Sequence, residues 1–224
     1  MTEVEELRAE VEKLKAERKP AHEPFDAAVE VTACVLGFNN WRHLWAVLTA
    51  YFRQGVSLHL RSAVDRASKD PTLAILSSPD LGPWLTSAIA GTIRTYQYLG
   101  DVPHHEQIPE VCAHAMTKFT DACDTEFIYF NDGDVVTPQG ALKKLLEEMK
   151  ADDTIGALCI PYEQKTDHQL KGAMLMRRDV AHEVRFNGKG RCVCWDLAER
   201  FKKIGLRMTA WESGQMAEHG KYWR

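Results

Sequence analysis

The apolar run 127–130 leads through Asn131 into two aspartates, Asp132 and Asp134, which are separated by Gly133. The run predicts a buried strand, and Asp-Gly-Asp predicts a turn at its carboxyl end. Carboxylate oxygens are hard ligands that suit Mg²⁺ or Mn²⁺, and these ions bridge the phosphates of a substrate. Because Asp and Gly also form ordinary turns, the pair alone is compatible with a metal site and with a plain turn.

Charge is unevenly distributed along the chain. Segment 165–207 holds eleven Lys or Arg and five Asp or Glu, a net charge of +6. Since the whole chain has a net charge of −4, the rest of the chain has a net charge of −10. A basic region beside an acidic one suggests an anionic ligand such as phosphate, although a solvated surface of uneven charge would look the same.

The composition of the 224-residue chain, with 45% hydrophobic and 27% charged residues, is that of a globular domain. It excludes collagen-like, low-complexity and disordered proteins. No run of about 18 apolar residues predicts a membrane span, and the charged N-terminal segment does not resemble a secretory signal. The overall negative charge argues against a basic nucleic-acid coat protein.

The six cysteines contain no C-x-x-C pair, and three of them lie in apolar runs. Without a signal peptide, they indicate reduced thiols and a cytoplasmic protein. Cys192 and Cys194 alternate in a strand-like segment, but a C-x-C pair by itself is weak evidence for a metal site.

Strand-like and helix-like segments alternate along most of the chain. Strands are predicted at 29–37, 57–64, 72–76, 127–130, 155–161 and 173–177, and helices at 41–52, 109–122, 138–150 and 195–204. Residues 77–108 show no clear pattern. Such alternation predicts a mostly parallel sheet flanked by helices, in which ligands bind beyond the carboxyl ends of the strands.

The N-terminal residues 1–24 are predicted to form a charged helix over 1–19 and a linker containing Pro20 and Pro24. The helix carries a narrow apolar stripe at heptad-like spacing, consisting of Val4, Leu7, Val11 and Leu14. Two heptads are too few for a stable coiled coil alone, so the segment is expected to be a docked or frayed helix or a weak homo-oligomer contact. Residues 25–224 are expected to form one domain.

Four segments in order resemble the GT-A fold of nucleotide-sugar glycosyltransferases, especially the large family-two group. They are AVDRASKD at 63–70, FIYFNDGDVVTPQGALKKLL at 127–146, GAMLMRRDVAHEV at 172–184 and DLAERFKKIGLRM at 196–208. The resemblance covers roughly residues 30–220, with 77–108 unmatched. It implies an α/β fold of GT-A type, with a mostly parallel central sheet flanked by helices and a Rossmann-like nucleotide-binding half.

The resemblance also implies roles for single residues in donor binding. Phe38 matches an aromatic or apolar position near the nucleobase, and Asp65 matches a carboxylate that accepts a hydrogen bond from uracil or a similar base. Asp132 would contact the ribose or the metal, and Arg191 is a candidate for assisting at the diphosphate.

The metal ligands implied by the resemblance are Asp132, Asp134 and the late histidine His219. Neutral imidazole suits Mn²⁺ better than Mg²⁺, and the expected cofactor is Mn²⁺ or Mg²⁺. The ion would neutralise the diphosphate as charge develops on the leaving group.

The sequence departs from this family where a general base is expected. Inverting members usually carry Glu-Asp shortly before the Asp-Leu of the last helix, whereas this chain has Val193-Cys194. Asp196 is the first candidate base and Glu199 the second, because a base must reach the acceptor hydroxyl. Asp196 could equally be the N-cap of the helix.

The expected function is that of a metal-dependent glycosyltransferase that moves a sugar from a nucleoside diphosphate donor, with a UDP-sugar expected, to an acceptor hydroxyl. The acceptor could be a glycan, a protein or modified nucleic acid. One alternative is a nucleotide-binding module without turnover, because the Glu-Asp pair is missing. Another is a nucleotidyltransferase, which the single glycine of GFNNWRHLW at 37–45 disfavours.

Overall fold

The structure is a computed structural model that describes residues 29–88, 92–106, 108–161, 173–186, 193–212 and 216–219. The predicted N-terminal helix and its oligomer contact lie outside these residues, as do Arg191 and Cys192. The described part forms a central sheet with helices on both faces, as predicted.

Seven strands of the described residues form the central sheet. Their bounds are Val31–Gly37 (β1), Leu58–Asp65 (β2), Ile93–Val102 (β3), Phe127–Asp132 (β4), Ile155–Cys159 (β6), Ala173–Arg177 (β7) and Arg207–Ala210 (β8). Their order across the sheet is β3-β2-β1-β4-β7-β6-β8. Strand β7 is antiparallel to β4 and β6, and the other neighbouring pairs are parallel. Two short strands, β5 (Val135–Val136) and β9 (Glu218–His219), form a separate antiparallel pair.

Seven α-helices accompany the sheet in the described residues, together with one short 3₁₀ helix at Tyr51–Arg53. The α-helices are Trp41–Ala50 (α1), Thr72–Leu76 (α2), Leu81–Ala88 (α3), Ile108–Asp121 (α4), Ala141–Ala151 (α5), Arg178–Val184 (α6) and Val193–Lys203 (α7). None of these helices has both the length and the apolar character needed to cross a membrane.

Alternate side chains of the central strands enter two cores on opposite faces of the sheet. On β4, Phe127 and Tyr129 join the core beneath α1, α2, α3 and α5, whereas Ile128 and Phe130 join the core beneath α4, α6 and α7. This two-sided burial explains why residues 127–130 of β4 are a continuous apolar run.

Segment 72–76 is the helix α2, so its prediction as a strand was wrong. Because the apolar run is short, its pattern does not distinguish a helix from a strand. Local hydrogen bonds at its start favour the helix. The Asp70 carboxylate accepts the Thr72 N–H at 3.0 Å, and the Pro71 carbonyl accepts the Ile75 N–H at 2.9 Å, which starts a helical turn.

Helix α5 begins at Ala141, three residues later than Pro138 suggested. Gly140 has a φ of +70°, which separates it from the helix, and the Oε1 of buried Gln54 accepts the Leu142 N–H at 3.1 Å. A side chain from a distant part of the chain therefore satisfies one of the first free N–H groups of this helix.

Four cysteines, Cys34, Cys112, Cys123 and Cys159, are buried free thiols. Burial raises the pKa of the Cys34 thiol well above its usual value and also raises the pKa of Cys159. These thiols therefore act as small apolar core residues. The prediction that the cysteines are reduced stays a prediction.

Candidate functional site

Phe38, Asp65 and Asp132 lie at the carboxyl ends of β1, β2 and β4, on the same side of the sheet. In the parallel register, Leu36 of β1 is opposite Asp132 of β4, and Gly37 is opposite Val64 of β2. Phe38 and Asp65 therefore lie at the carboxyl ends of neighbouring strands. The chain reverses its direction of winding between β1 and β4, which is where open α/β sheets bind their ligands.

Buried hydrogen bonds fix the turn 132–134 from both sides. The Gly133 N–H donates to the Leu36 carbonyl at 2.9 Å, and Nδ2 of the buried Asn131 donates to the Val135 carbonyl, also at 2.9 Å. The two aspartates at the ends of this turn are each partly exposed. The fold thus holds two carboxylates on a rigid backbone at the switch point.

Gly133 is required by the close approach of its neighbours. A Cβ at this position would lie 2.7 Å from the Leu36 carbonyl oxygen and would collide with Asn40 Nδ2. We expect Gly133→Ala to lower the free energy of unfolding by about 1–3 kcal/mol, as overpacking does elsewhere. Urea unfolding measures the loss. In the control Gly82→Ala, the nearest atom is an ordinary 3.4 Å away on Tyr96, so equal stability of the two variants would contradict the argument.

Strand β9 brings the backbone of His219 next to the aspartate turn. His219 pairs with Val135, the residue that follows Asp134, in the antiparallel register of β5 and β9. The imidazole of His219 lies outside what the structure describes. Within the described residues, no three His, Cys, Asp or Glu side chains form a group that could hold a metal ion. The ligand role of His219 stays a prediction.

The loops after β1 and β2 are tied together. Asn39, whose φ is +48°, donates its N–H to Ser68 Oγ at 3.1 Å and accepts the Lys69 N–H on its Oδ1 at 2.8 Å. These bonds hold the backbone next to Phe38 against the loop that carries Asp65. The strand ends therefore present one connected surface and not two independent loops.

Asp70 anchors the same loop through hydrogen bonds from the Thr72 N–H, the Trp41 N–H and Ser68 Oγ at 3.0–3.2 Å. Partial burial acts to raise the pKa of Asp70, but these hydrogen bonds outweigh it and hold the pKa below its usual value. The carboxylate therefore stabilises the fold above its unfolded pKa of about 3.9, and the contribution is lost as the pH falls through the folded pKa.

We expect Asp70→Asn to lower the free energy of unfolding by about 1 kcal/mol at pH 7, because Nδ2 cannot accept the Trp41 N–H. The loss should shrink at the lowest pH at which the protein still folds. Urea unfolding at the two pH values measures it, with Asp80→Asn, an exposed carboxylate, as the control. A loss that does not change with pH would contradict this account.

Asp65 is almost fully buried, at 3% exposed, and its carboxylate is already engaged. Oδ1 accepts the Ala67 N–H at 2.8 Å, and Nδ1 of His104 lies 3.1 Å from both carboxylate oxygens. The ring of Phe38 stacks with the His104 ring, with centroids 6.2 Å apart and planes 26° from parallel. His104 belongs to segment 77–108, where no motif marked it, so the sequence analysis missed this residue.

Asp196 lies in the first turn of α7 and is not its N-cap. The helix already begins at Val193, so the capping alternative was wrong. The Asp196 Oδ2 lies 2.9 Å from Nε of Arg200, which also donates through Nη1 to the Val184 carbonyl at 2.7 Å. Glu199 is exposed on the same helix. The role of either carboxylate as a base stays a prediction.

No protein-family model matches the chain, and no curated protein matches its sequence. Solved structures do match it. The mannosyltransferase PcManGT from Pyrobaculum calidifontis, in complex with GDP-Man and Mn²⁺, aligns with a TM-score of 0.65 at 15% identity, over 95% of this chain and 64% of that one. TarS from S. aureus (residues 1–349) aligns with a TM-score of 0.61 at 11% identity, over 85% and 60%.

A third solved structure is glucosyl-3-phosphoglycerate synthase from Mycobacterium tuberculosis with Mn²⁺, UDP and glucosyl-3-phosphoglycerate. It aligns with a TM-score of 0.54 at 13% identity, over 94% of this chain and 75% of that one. These likenesses confirm the GT-A type of fold that the sequence resemblance implied. The chain spans less than two thirds of the length of the mannosyltransferase and of TarS.

Proposed function

We propose that the protein is a metal-dependent glycosyltransferase that moves a sugar from a nucleoside diphosphate donor, with a UDP-sugar expected, to an acceptor hydroxyl. The observation that carries this proposal is the Asp132–Asp134 turn at the switch point of a GT-A fold. Phe38 and Asp65 lie at the ends of the adjacent strands, where a nucleoside would extend from a diphosphate held at the turn.

The solved neighbours support this chemistry. One contains GDP-Man and Mn²⁺, and another contains UDP and Mn²⁺. Since this chain is only 15% and 13% identical to them, UDP and GDP donors both belong in a first test.

The carboxylates of Asp132 and Asp134 fit a divalent cation. Mg²⁺, and by the same oxygen chemistry Mn²⁺, is commonly held by one or two carboxylates together with substrate phosphates, so a cage of three protein ligands is unnecessary. His219 is the proposed additional ligand. When bound, the ion would neutralise charge on the leaving diphosphate. The aspartate turn would hold it in place, and Arg191 is proposed to add positive charge at the diphosphate.

Asp196 is proposed to accept the proton of the acceptor hydroxyl, with Glu199 as the second candidate. The ion pair between Asp196 and Arg200, at 2.9 Å, holds the Asp196 carboxylate in a defined orientation on the first turn of α7. A positioned carboxylate of this kind can act on a hydroxyl directly or through one water molecule.

A second candidate function is nucleotide binding without turnover. Two observations favour it: Val193-Cys194 replaces the acidic pair of the resembling family, and the Asp196 carboxylate is already paired with Arg200. Calorimetry separates the two functions, because this module would bind UDP with Mn²⁺ and release none from a UDP-sugar.

The direct experiment incubates the protein with UDP- and GDP-sugars, Mn²⁺ and candidate acceptors, and measures the nucleoside diphosphate released. We expect release that stops when the metal is chelated, and mass spectrometry of the products would identify the acceptor among glycans, proteins and modified nucleic acids. Pyrophosphate release would instead indicate a nucleotidyltransferase. The proposal would be overturned if the protein showed no release of a nucleoside diphosphate and no Mn²⁺-dependent nucleotide binding.

Two further expectations from the sequence stay proposals. They are a cytoplasmic location, which the reduced thiols suggest, and a weak homo-oligomer contact through residues 1–19. Size-exclusion chromatography of the full chain and of a variant that lacks residues 1–19 would test the second.

A further inference from the structure

The helices on one face of the sheet carry an apolar groove on their outer surface. Side chains of α1, α2, α3 and the connection between α2 and α3 line this groove, which has a volume of about 420 Å³. The lining residues are Trp45, Ala74, Ile75, Ser78, Asp80, Leu81 and Trp84. The described part of the chain thus leaves an apolar surface in contact with solvent at a place that the proposed active site does not use.

Three tryptophans of the described residues are exposed at or beside this groove. Trp41 and Trp45, which are 40% and 43% exposed, lie four residues apart and so on the same side of α1. Trp84 of α3 is 42% exposed, and its ring meets that of Trp45 edge to face, with centroids 5.4 Å apart. Leu73 of α2 is exposed as well. An exposed cluster of large apolar side chains of this kind marks an interaction surface.

Residues 1–28 precede the described part and carry an apolar stripe that matches the groove in length. The stripe runs from Val4 to Leu14 and would be about 15 Å long as a helix, which is also about the length of the ten-residue helix α1. The linker 20–28 spans up to roughly 30 Å, whereas the seven-residue strand β1, whose amino end it joins, is roughly 23 Å long. The stripe can therefore reach the groove within the same chain.

Charge complementarity favours one direction for this segment. Because the linker joins the amino end of β1, residues 1–12 would lie toward the carboxyl ends of the strands. This part of the segment holds five Glu and one Arg. Arg42 in the first turn of α1, and Arg66 and Lys69 in the loop after β2, are exposed at that end. The acidic part of the segment would therefore lie near exposed basic side chains.

We infer that residues 4–14 dock as a helix in the groove between α1 and α3 of the same chain, with their apolar stripe on Trp45 and Trp84. A helix of this length is marginal in water by itself. A short linker gives it an effective concentration on the order of millimolar, so a weak contact is sufficient. Exchange of the segment between two copies would use the same groove and would give the weak homo-oligomer proposed above. The contact does not depend on the proposed function.

Hydrogen exchange of the full chain, followed by mass spectrometry, tests this contact from the side of the segment. We expect the amides of residues 4–14 to exchange at least about tenfold more slowly in the parent protein than in Leu7→Glu/Leu14→Glu, which places two charges in the stripe. The matched control is Ala9→Glu/Ala16→Glu. It adds the same charges at the same spacing on the opposite side of the predicted helix and should keep the slow exchange.

The groove is tested by Trp84→Glu, with Trp45→Glu on the other wall as a second variant in case the first does not fold. Either change should remove the slow exchange of residues 4–14. Met216→Glu, at an exposed apolar residue outside the groove lining, should keep it. Slow exchange that survives both tryptophan substitutions would overturn the inference and would indicate a coiled coil between N-terminal helices instead. Rapid exchange of residues 4–14 in the parent protein would overturn it as well.

Discussion

Asp134→Asn is expected to abolish Mn²⁺-dependent binding of UDP and to lower kcat/KM at least about 100-fold. The reason is electrostatic: a bound cation contributes several kcal/mol of charge stabilisation to a diphosphate leaving group, and each 1.4 kcal/mol is about tenfold in rate. Asparagine keeps the size of the side chain and removes the charge that holds the ion. Steady-state kinetics and calorimetric titration of UDP with Mn²⁺ measure the two effects.

The fold should survive this change, because Asp134 is partly exposed and the turn is fixed by the bonds of Gly133 and Asn131. The matched control is Glu147→Gln on α5, an exposed carboxylate whose neutralisation should leave binding and turnover unaltered. Unchanged turnover in Asp134→Asn would remove this aspartate from the metal site, and a cooperative unfolding transition like that of the parent protein would exclude misfolding as a cause.

Asp196→Asn is expected to lower kcat by about 10²–10⁴-fold, the usual contribution of a positioned general base, while the Kd for UDP with Mn²⁺ stays the same. The separation arises because the proposed base acts on the acceptor and not on the nucleotide. Single-turnover kinetics on the donor and acceptor identified by mass spectrometry would measure it.

The control is Glu199→Gln, an exposed carboxylate on the same helix, which should lower kcat much less. A larger loss of kcat in Glu199→Gln than in Asp196→Asn would mean that Glu199, and not Asp196, is the base. Turnover within about twofold of the parent in both variants would exclude both residues as the base, since even a modest general base contributes more than that.

The sequence located the sheet edge that carries the candidate site because the features there are local. A strand buried between two cores must be apolar over its buried length, and residues 127–130 of β4 are apolar, so the position of Asp132 at its end could be predicted. The carboxyl end of β2 at Asp65 could be predicted because a strand-like segment runs there into the polar loop 65–70. Parallel strands then bring these ends to one edge without further information.

The features that the sequence did not predict depend on contacts between distant segments. Strand β3 is half exposed at the edge of the sheet, so its side chains lack a regular apolar pattern. His104 gains its partner only because β3 pairs with β2, which places Val102 opposite Asp65. The helix at 72–76 is a different case, because a local contact starts it: the Asp70 carboxylate accepts the Thr72 N–H, whereas the apolar side chains alone resemble a short strand.

The family resemblance predicted where Asp196 and Asp65 lie in the fold, but it did not predict which side chains they contact. It placed Asp196 on the last described helix, whereas the ion pair of that carboxylate with Arg200 is visible only in the structure. It also placed Asp65 at the carboxyl end of β2, and the contact of its carboxylate with His104 is visible only in the structure.

The most direct measurement is the anomalous scattering of manganese in crystals of the protein soaked with Mn²⁺ and UDP. We predict a manganese peak at the carboxylates of Asp132 and Asp134, with diphosphate oxygens completing its coordination and the uracil lying toward Phe38. Ordered UDP and manganese bound elsewhere, with these two carboxylates turned away from both, would contradict the account.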